Sequence, residues 1–240
     1  DKIAEQTKAF SQYVLADEDL EVKVSSFFSK IKEPVLANPR ISFPDAIRGT
    51  KMYPAPLPDL FKGEQVVLVG RYSGHGSGAI EISGTVDKQK RKFAEDAKFP
   101  EESSSHEFIP RLWAMRRVGY LLDEIRLHGD NKELKDEVTD LARKFGNVTP
   151  YTAYLIQEDE TRRNVPLSMQ TLPRGSRVID EAARDSGERL VRMKSGSAGA
   201  GPVADSRAFE VMKKAESSQW SIATGNAEVL RGTVAATPSS

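Results

Sequence analysis

The sequence contains no cysteine among its 240 residues, and this absence excludes disulfides, thiolate metal sites and cysteine nucleophiles. Its 35 basic and 35 acidic side chains cancel, so the net charge indicates neither nucleic acid nor an anionic membrane as a partner. No apolar run approaches the roughly 20 residues that span a bilayer, and the first residues, DKIAEQTKAF, do not resemble a secretory signal peptide. What is present is a polar sequence, long enough for one large or two modest domains.

The first 33 residues predict a helix, a short strand with the sequence QYVLA, and a second helix that ends at Pro34. An acidic cluster precedes the second helix, where the helix dipole favours negative charge. A metal site is the alternative interpretation of this cluster, which consists of Asp17, Glu18 and Asp19. The apolar stripe of the second helix consists of Leu20, Val24, Phe27 and Ile31. Because helical periodicity begins at Ile3, we expect the chain to be the interior or C-terminal part of a longer protein.

Residues 34–102 alternate strand-forming runs with proline and glycine, a pattern typical of an antiparallel β-sandwich. In AIEISGTV the apolar residues fall on one face, which is the period of a half-buried strand. The predicted strands lie in PVLANPRISF, IRGTKMYP, EQVVLVGRYS, GAIEISGTVD and RKFAEDAKF.

The stretch RYSGHGSGAI, residues 71–80, joins two of these runs and raises the question of catalysis. A serine hydrolase using Ser77 and His75 is one interpretation, but a nucleophile elbow needs a helix after its serine, and no third member of a triad is identifiable. A phosphate loop also needs a following helix. We therefore predict a β-hairpin turn whose glycines supply positive φ. The sequence identifies no catalytic, cofactor-binding or metal-binding residue.

Residues 103–146 predict a helical hairpin with Pro110 in the first turn. Gly129 ends the first helix and Gly146 ends the second. Asp130 and Glu133, three residues apart, predict a capping box for the second helix. The first stripe consists of Leu112, Met115, Gly119, Leu122 and Ile125, and the second of Leu134, Val138, Leu141 and Phe145.

Three arginines of the first helix are compatible with an anion site, although pairing with Asp123 or Glu124 on a solvated face is favoured. These arginines are Arg116, Arg117 and Arg126. Trp113 is expected in the core rather than as a platform for a ligand.

Residues 147–160, with Pro150 at the start, are rich in strand-forming tyrosine and threonine, and predict a strand that completes the sandwich. Residues 161–240 form a predicted low-complexity tail that is partly helical or disordered. Within the tail, SGSAGAGPVADS predicts a linker, and SRVIDEAARDSGERLVRM and SRAFEVMKKAES predict short helices.

The segment from Arg111 to Asp159 resembles the region that follows the von Willebrand factor A domain in bacterial VIT/VWA proteins, relatives of the inter-alpha-trypsin inhibitor heavy chains. The matching positions, in order, are Trp113-Ala114, Leu121-Leu122, Ile125-Arg126, His128-Gly129 and Thr149 to Thr152. LPDLFKGEQVVLVGRY is similar to the sheet region of the same proteins, and residues 1–31 resemble the last helix, strand and helix of the A domain. The resemblance covers about residues 1–158.

The resemblance implies an α+β fold, with a hybrid-type β-sandwich and a packed helical hairpin following the C-terminal edge of an α/β von Willebrand A domain, residues 1–33. It implies a non-enzymatic scaffold of an adhesion-type protein that orients the metal-dependent, ligand-binding half of the A domain. The metal loop of that half reads D-x-S-x-S, which does not occur here, so no metal ligand and no cofactor is carried over.

The expected partner is a protein ligand, bound through the A-domain half that these residues do not include, and the isolated chain is expected to self-associate. The family implies an extracellular, periplasmic or envelope-associated location. A cytoplasmic A-domain adaptor is the alternative, and its ATPase partner would be a separate chain because no Walker motif is present.

Overall fold

A computed structural model of the chain describes residues 14, 18–31, 34–61, 65–103, 105–129, 131–147, 149–170, 172, 177–192 and 200–215. The chain divides into two compact units, Asp1–Ile109 and Pro110–Ser240. Helices and antiparallel strands are both present, so the fold is mixed helix and strand.

The described part of the first unit contains a helix and six strands. Their bounds are α1 (Leu20–Ile31), β1 (Pro34–Ser42), β2 (Arg48–Tyr53), β3 (Leu60–Phe61), β4 (Val69–Ser73), β5 (Gly76–Val86) and β6 (Gln89–Phe99). Four strands form a curled antiparallel sheet in the order β3-β1-β5-β6, and β2 pairs with β4 in a separate two-stranded sheet.

The core of the first unit gathers around Phe99, at the end of β6. The ring of Phe99 meets Phe43 and Tyr72 edge-on, with centroid distances of 6.3 and 5.3 Å. The hydroxyl of Tyr72 donates a hydrogen bond to the carbonyl oxygen of Pro100 at 2.7 Å. Besides Phe99, the buried apolar residues in the described part of this unit include Leu36, Ile47, Tyr53 and Val69.

Helix α1 begins at the acidic cluster, as expected of a helix N-terminus. A side-chain oxygen of Asp19 accepts hydrogen bonds from the backbone N–H groups of Glu21 and Val22 at 2.9 and 3.2 Å, which caps the first turn. Glu18 instead pairs with Lys23 at 3.1 Å. Asp17, the predicted first helix and all of QYVLA except Val14 lie outside the described residues.

The glycine-rich stretch is not a hairpin turn, so that prediction was wrong. Strand β4 ends at Ser73 and pairs with β2, whereas β5 begins at Gly76 and pairs with β1 and β6. The stretch therefore carries the chain from one sheet to the other. At Gly74, with φ of +92°, a Cβ atom would lie 2.0 Å from the carbonyl oxygen of Ala46, which leaves room only for glycine. Strand β5 pairs with β1, which lies much earlier in the chain. The local sequence of the stretch does not reveal this pairing.

The hairpin of this unit instead joins β5 to β6. Its two-residue turn consists of Asp87 and Lys88, with φ of 49° and 65°. Positive φ at both positions defines a type I′ turn. The sequence signal is weak because this turn usually carries glycine or asparagine.

The described part of the second unit is helical. Its elements are α2 (Phe108–His128), which crosses the boundary between the units, α3 (Lys132–Phe145), α4 (Pro150–Arg162), a 3₁₀ turn (Leu167–Met169), α5 (Arg177–Arg192) and α6 (Ala200–Lys213). The two helices predicted for residues 103–146 are present as α2 and α3. Trp113 is buried, and its ring meets Phe145 edge-on at 6.3 Å.

Helices α2 and α3 end just before Gly129 and Gly146, the glycines that were predicted to terminate them. Gly129 and Gly146 have φ of +93° and +68°. The cap of α3, however, is Asn131, whose side chain accepts a hydrogen bond from the backbone N–H of Glu133 at 2.8 Å. The predicted cap, Asp130, lies outside the described residues, and Glu133 is the second residue of the helix rather than the third.

Residues predicted to form a strand at 147–160 form helix α4 instead, so that prediction was wrong. Thr149 and Thr152 cap the helix reciprocally: Thr149 Oγ1 accepts from the N–H of Thr152 at 3.2 Å, and Thr152 Oγ1 accepts from the N–H of Thr149 at 2.7 Å. Pro150 is the first helical residue, where it is favoured. Buried side chains recur with helical spacing, at Thr152, Leu155, Ile156, Asp159 and Glu160. Capping and burial thus override the strand propensity of tyrosine and threonine.

The predicted linker SGSAGAGPVADS is partly wrong, because its last seven residues, 200–206, belong to α6. Asp205 is buried there and accepts a hydrogen bond from Tyr151, so a tertiary contact holds a segment whose composition favours flexibility. The two short helices predicted in the tail are present as α5 and α6. The final segment, RGTVAATPSS, lies outside the described residues.

Candidate functional site

The structure does not bring Ser77 and His75 into a catalytic arrangement. Both residues are exposed: His75 lies between β4 and β5, and Ser77 is the second residue of β5. Neither side chain hydrogen-bonds to another residue of the described part of the chain. The helical unit, Pro110–Ser240, instead contains three clusters of buried polar side chains.

The first cluster surrounds Asp159 on α4, whose side chain is only 6% exposed. This carboxylate accepts hydrogen bonds from Arg143 of α3 at 2.9 Å, from Arg162 of α4 at 2.8 Å, and from Arg163, the C-cap of α4, at 2.9 Å. Arg143 also lies 3.5 Å from the buried carboxylate of Glu160. The cluster therefore ties α3 to α4.

The protonation of Asp159 follows from these contacts. Burial acts to raise the pKa of the carboxyl group, but the hydrogen bonds from Arg162, Arg143 and Arg163 outweigh it and lower the pKa below its ordinary value. A carboxylate held ionised in this way is a weak base, poorly suited to accept a proton at neutral pH. The geometry is that of a structural anchor.

An open groove of about 200 Å³ lies beside this cluster, between α3 and α4. Its charged lining residues are Lys132, Lys135, Asp136, Glu158, Asp159 and Arg162. The charges pair across the groove, with Lys135 at 3.4 Å from Glu158 and Arg162 at 3.2 Å from Asp136. Three cations and three anions leave the groove without net charge, so it favours neither an anionic nor a cationic ligand.

The second cluster joins α4, α5 and α6. The hydroxyl of Tyr151 donates a hydrogen bond to Asp205 at 2.6 Å, and Arg189 lies 3.5 Å from the same oxygen of Asp205. The ring of Tyr151 meets Phe209 edge-on at 5.0 Å. Burial, together with the negative charge of Asp205, raises the pKa of Tyr151 well above its ordinary value. Tyr151 is 1% exposed, so no solute reaches its hydroxyl without opening the unit.

The third cluster joins α2 to α6. Arg116 is 2% exposed and donates through Nε to the carbonyl oxygen of Ala215 at 2.8 Å. Asp123 accepts hydrogen bonds from Arg126 of the same helix and from Lys213 of α6. The pairing of Arg126 with Asp123 was predicted. The prediction that Arg116 lies on a solvated face was wrong, because α6 covers this side chain.

Arg117, the remaining member of the predicted basic group, is bound in the same way. It donates to both carboxylate oxygens of Glu137 on α3, at 2.9 and 2.6 Å. All three arginines therefore have acidic or carbonyl partners within the helical unit. The sequence did not signal the partners of Arg116 and Arg117, because they lie 99 and 20 residues away.

In the ranges that the structure describes, no group of three or more His, Asp or Glu side chains could hold a metal ion. Within those same ranges, no helix has both the length and the apolarity needed to cross a membrane.

Comparison of the chain with protein-family models, with curated proteins and with solved structures found no match. The residues that carry the VIT/VWA resemblance are largely structural in this fold. Trp113 and Leu122 are buried in α2, Gly129 ends that helix, and Thr149 and Thr152 cap α4.

Proposed function

We propose that the chain is a non-enzymatic scaffold of a von Willebrand A domain adhesion-type protein, similar to the VIT/VWA proteins. In this proposal, α1 is the last helix of an A domain, and the strands belong to a hybrid-type sandwich. The location is extracellular, periplasmic or associated with the envelope, as in that family. The ligand is a protein, bound through A-domain residues outside these 240.

One observation carries the proposal: α1 exposes large apolar side chains to solvent. Leu20, Val24 and Phe28, which lie along one side of the helix, are 54% to 62% exposed. A helix at the edge of an α/β domain packs such a stripe onto its sheet. The exposure of α1 is what is expected if an A-domain sheet covers it.

The helical unit supports the same proposal through its buried hydrogen bonds and ion pairs between helices. Its charged side chains are used to connect helices, as in Asp159 with Arg143 and Tyr151 with Asp205. A unit held by such networks is suited to keep a fixed shape rather than to change protonation during a reaction. We assign it the role of a rigid support.

A binding measurement tests the proposal. The probe is the A domain of a VIT/VWA protein, truncated before its last strand and helix, and the immobilised partner is the full 240-residue chain. Saturable binding is expected. Val24→Glu should weaken it at least about tenfold, because a charge would replace two methyl groups that the A domain buries in the proposed complex.

Val22→Glu is the matched control. Val22 is also exposed, at 63%, but it lies on the other side of α1 from Val24. Its substitution should leave the affinity within about twofold. Absence of binding at about 100 µM, or an equal loss in the two variants, would contradict the proposal.

A further inference from the structure

The outer edge of the four-stranded sheet is long and regular. Strand β6 spans 11 residues, Gln89–Phe99, and pairs with β5 residue by residue without a bulge. Among the described residues it has no partner on its other side. Natural sheets usually shorten, bulge, charge or cover such an edge, because its free N–H and C=O groups pair readily with another strand. Strand β6 is charged, so the arrangement of its charges decides which strand can pair with it.

The two-residue turn fixes which backbone groups face outward. Val86 and Gln89 flank the turn and form its first hydrogen-bonded pair, so Phe93 also exchanges its backbone hydrogen bonds with β5. The even-numbered residues of β6, from Lys90 to Lys98, therefore direct their N–H and C=O groups to the open edge. The side chain of Phe93 is 57% exposed on the sheet face that carries Ile82.

The charges of β6 are arranged symmetrically about Phe93. Arg91 lies two residues before it and Glu95 two residues after, and Lys90 lies three before and Asp96 three after. All four are exposed, and none forms an ion pair with another described residue. A strand with this pattern is complementary in charge to an antiparallel copy of itself.

We propose that two copies of the chain pair antiparallel along β6, about a twofold axis at Phe93. Phe93 then lies opposite the second copy's Phe93, Arg91 opposite its Glu95, and Lys90 opposite its Asp96. By symmetry each ion pair forms twice, one kind on each face of the sheet. The result is a continuous eight-stranded sheet that covers the β6 edge of each copy and brings the two exposed phenylalanines together.

Other registers are less favourable. Centring on Ala94 places Phe93 opposite a glutamate and Lys90 opposite Lys98, so an apolar contact is lost and like charges meet twice. In the register centred on Phe93, the like-charged Lys88 and Lys98 meet only where the turn begins. A register in which one strand slips by a single residue would place the sheet face that carries Phe93 beside the opposite face of the second sheet. The proposal is independent of the A-domain contact through α1.

A cysteine cross-link tests the register directly, because the natural chain contains no cysteine. In the proposed pair, the two Phe93 positions are a non-hydrogen-bonded pair with a Cα separation of about 4.5 Å, which a disulfide spans. Phe93→Cys should therefore give a disulfide-linked dimer on mild oxidation. Gln89→Cys is the control on the same strand and face: its two copies are separated by roughly 27 Å at about 3.4 Å per residue, and should stay unlinked.

Charge reversal tests the pairing without a cross-link. Arg91→Glu and Glu95→Arg should each weaken the dimer at least about tenfold, because each places like charges opposite one another twice. An equimolar mixture of the two variants should form a heterodimer, since both pairs between positions 91 and 95 are then again opposite in charge. Circular dichroism of each variant establishes that it is folded, and sedimentation equilibrium measures the association.

Three results would overturn the proposal. These are a wild-type chain that stays monomeric at about 100 µM, a disulfide that forms as readily at Gln89→Cys as at Phe93→Cys, and folded charge variants that fail to form heterodimers on mixing. A monomer whose β6 becomes protected from hydrogen exchange only by a peptide from another protein would assign the edge to that peptide.

Discussion

Asp159 illustrates what a single residue does in the helical unit. Three arginines lower the pKa of its buried carboxyl group, so the folded state favours the ionised form. Asp159→Asn should lower the free energy of unfolding by about 1–3 kcal/mol at pH 7, by removing hydrogen bonds to a charged acceptor. In the unfolded chain the pKa of an aspartate is about 3.9. The stabilisation of the fold by ionised Asp159 is therefore complete above this pH, and it is lost as the pH falls through the lower pKa of the folded state. Denaturant unfolding at pH 7 and pH 3 should show the difference between wild type and variant shrinking in acid.

Asp136→Asn is the control for this prediction. Asp136 contacts the same Arg162 at 3.2 Å, but its side chain is 42% exposed. Surface pairs of this kind contribute little, so the change should stay below about 0.5 kcal/mol. Equal effects of the two substitutions would show that burial of Asp159 does not matter.

Tyr151 provides a second prediction, at the opposite end of the pH range. Tyr151→Phe removes the 2.6 Å donor to buried Asp205, leaves the longer contact from Arg189 at 3.5 Å, and should lower the free energy of unfolding by about 1–3 kcal/mol at pH 8. The folded pKa of Tyr151 is raised, so the unfolded chain releases the phenolic proton first. Wild type therefore loses stability as the pH rises past about 10, and the deficit of the variant should narrow. A deficit unchanged between pH 8 and pH 11 would contradict the assigned contact.

At the scale of elements, the contact between α2 and α6 depends on Gly119. A Cβ atom there would lie 2.9 Å from Cβ of Met212 and 3.0 Å from the backbone nitrogen of Lys213. On a solvated helix, glycine to alanine stabilises by up to about 1 kcal/mol. Here the added methyl group should instead destabilise the unit by about 1–3 kcal/mol, since a backbone cannot move aside as a side chain can. Thermal unfolding gives the sign, and stabilisation by Gly119→Ala would mean that α6 does not approach α2 closely.

The elements also show how far the sequence predicts this fold. Helices α2 and α3 were predicted because their stripes and terminal glycines are local signals, as at Gly129 and Gly146. Helix α4 was mispredicted because its tyrosines and threonines resemble a strand, although Thr149 and Thr152 carried a capping signal. The pairing of β5 with β1 and the hydrogen bond between Tyr151 and Asp205 join residues that are far apart in the chain. Periodicity in the sequence cannot reveal such contacts.

For the whole molecule, the two units have different roles in this account. The first unit, Asp1–Ile109, exposes large apolar side chains on α1 and β6, such as Phe28 and Phe93, and also at Val35, Tyr72 and Ile82. In the helical unit, buried polar side chains such as Arg116 and Tyr151 form hydrogen bonds to residues of other helices or helix ends. The first unit is therefore assigned to interaction, and the second to support.

Hydrogen exchange of the full chain, alone and with the truncated A domain, tests this division most directly. The account predicts that the amides of α1, Leu20–Ile31, exchange at least about tenfold more slowly in the complex. The amides of α2, buried in the helical unit, should exchange at the same rate with and without the A domain. Unchanged exchange in α1, together with new protection along the groove between α3 and α4, would contradict the account and assign binding to the helical unit.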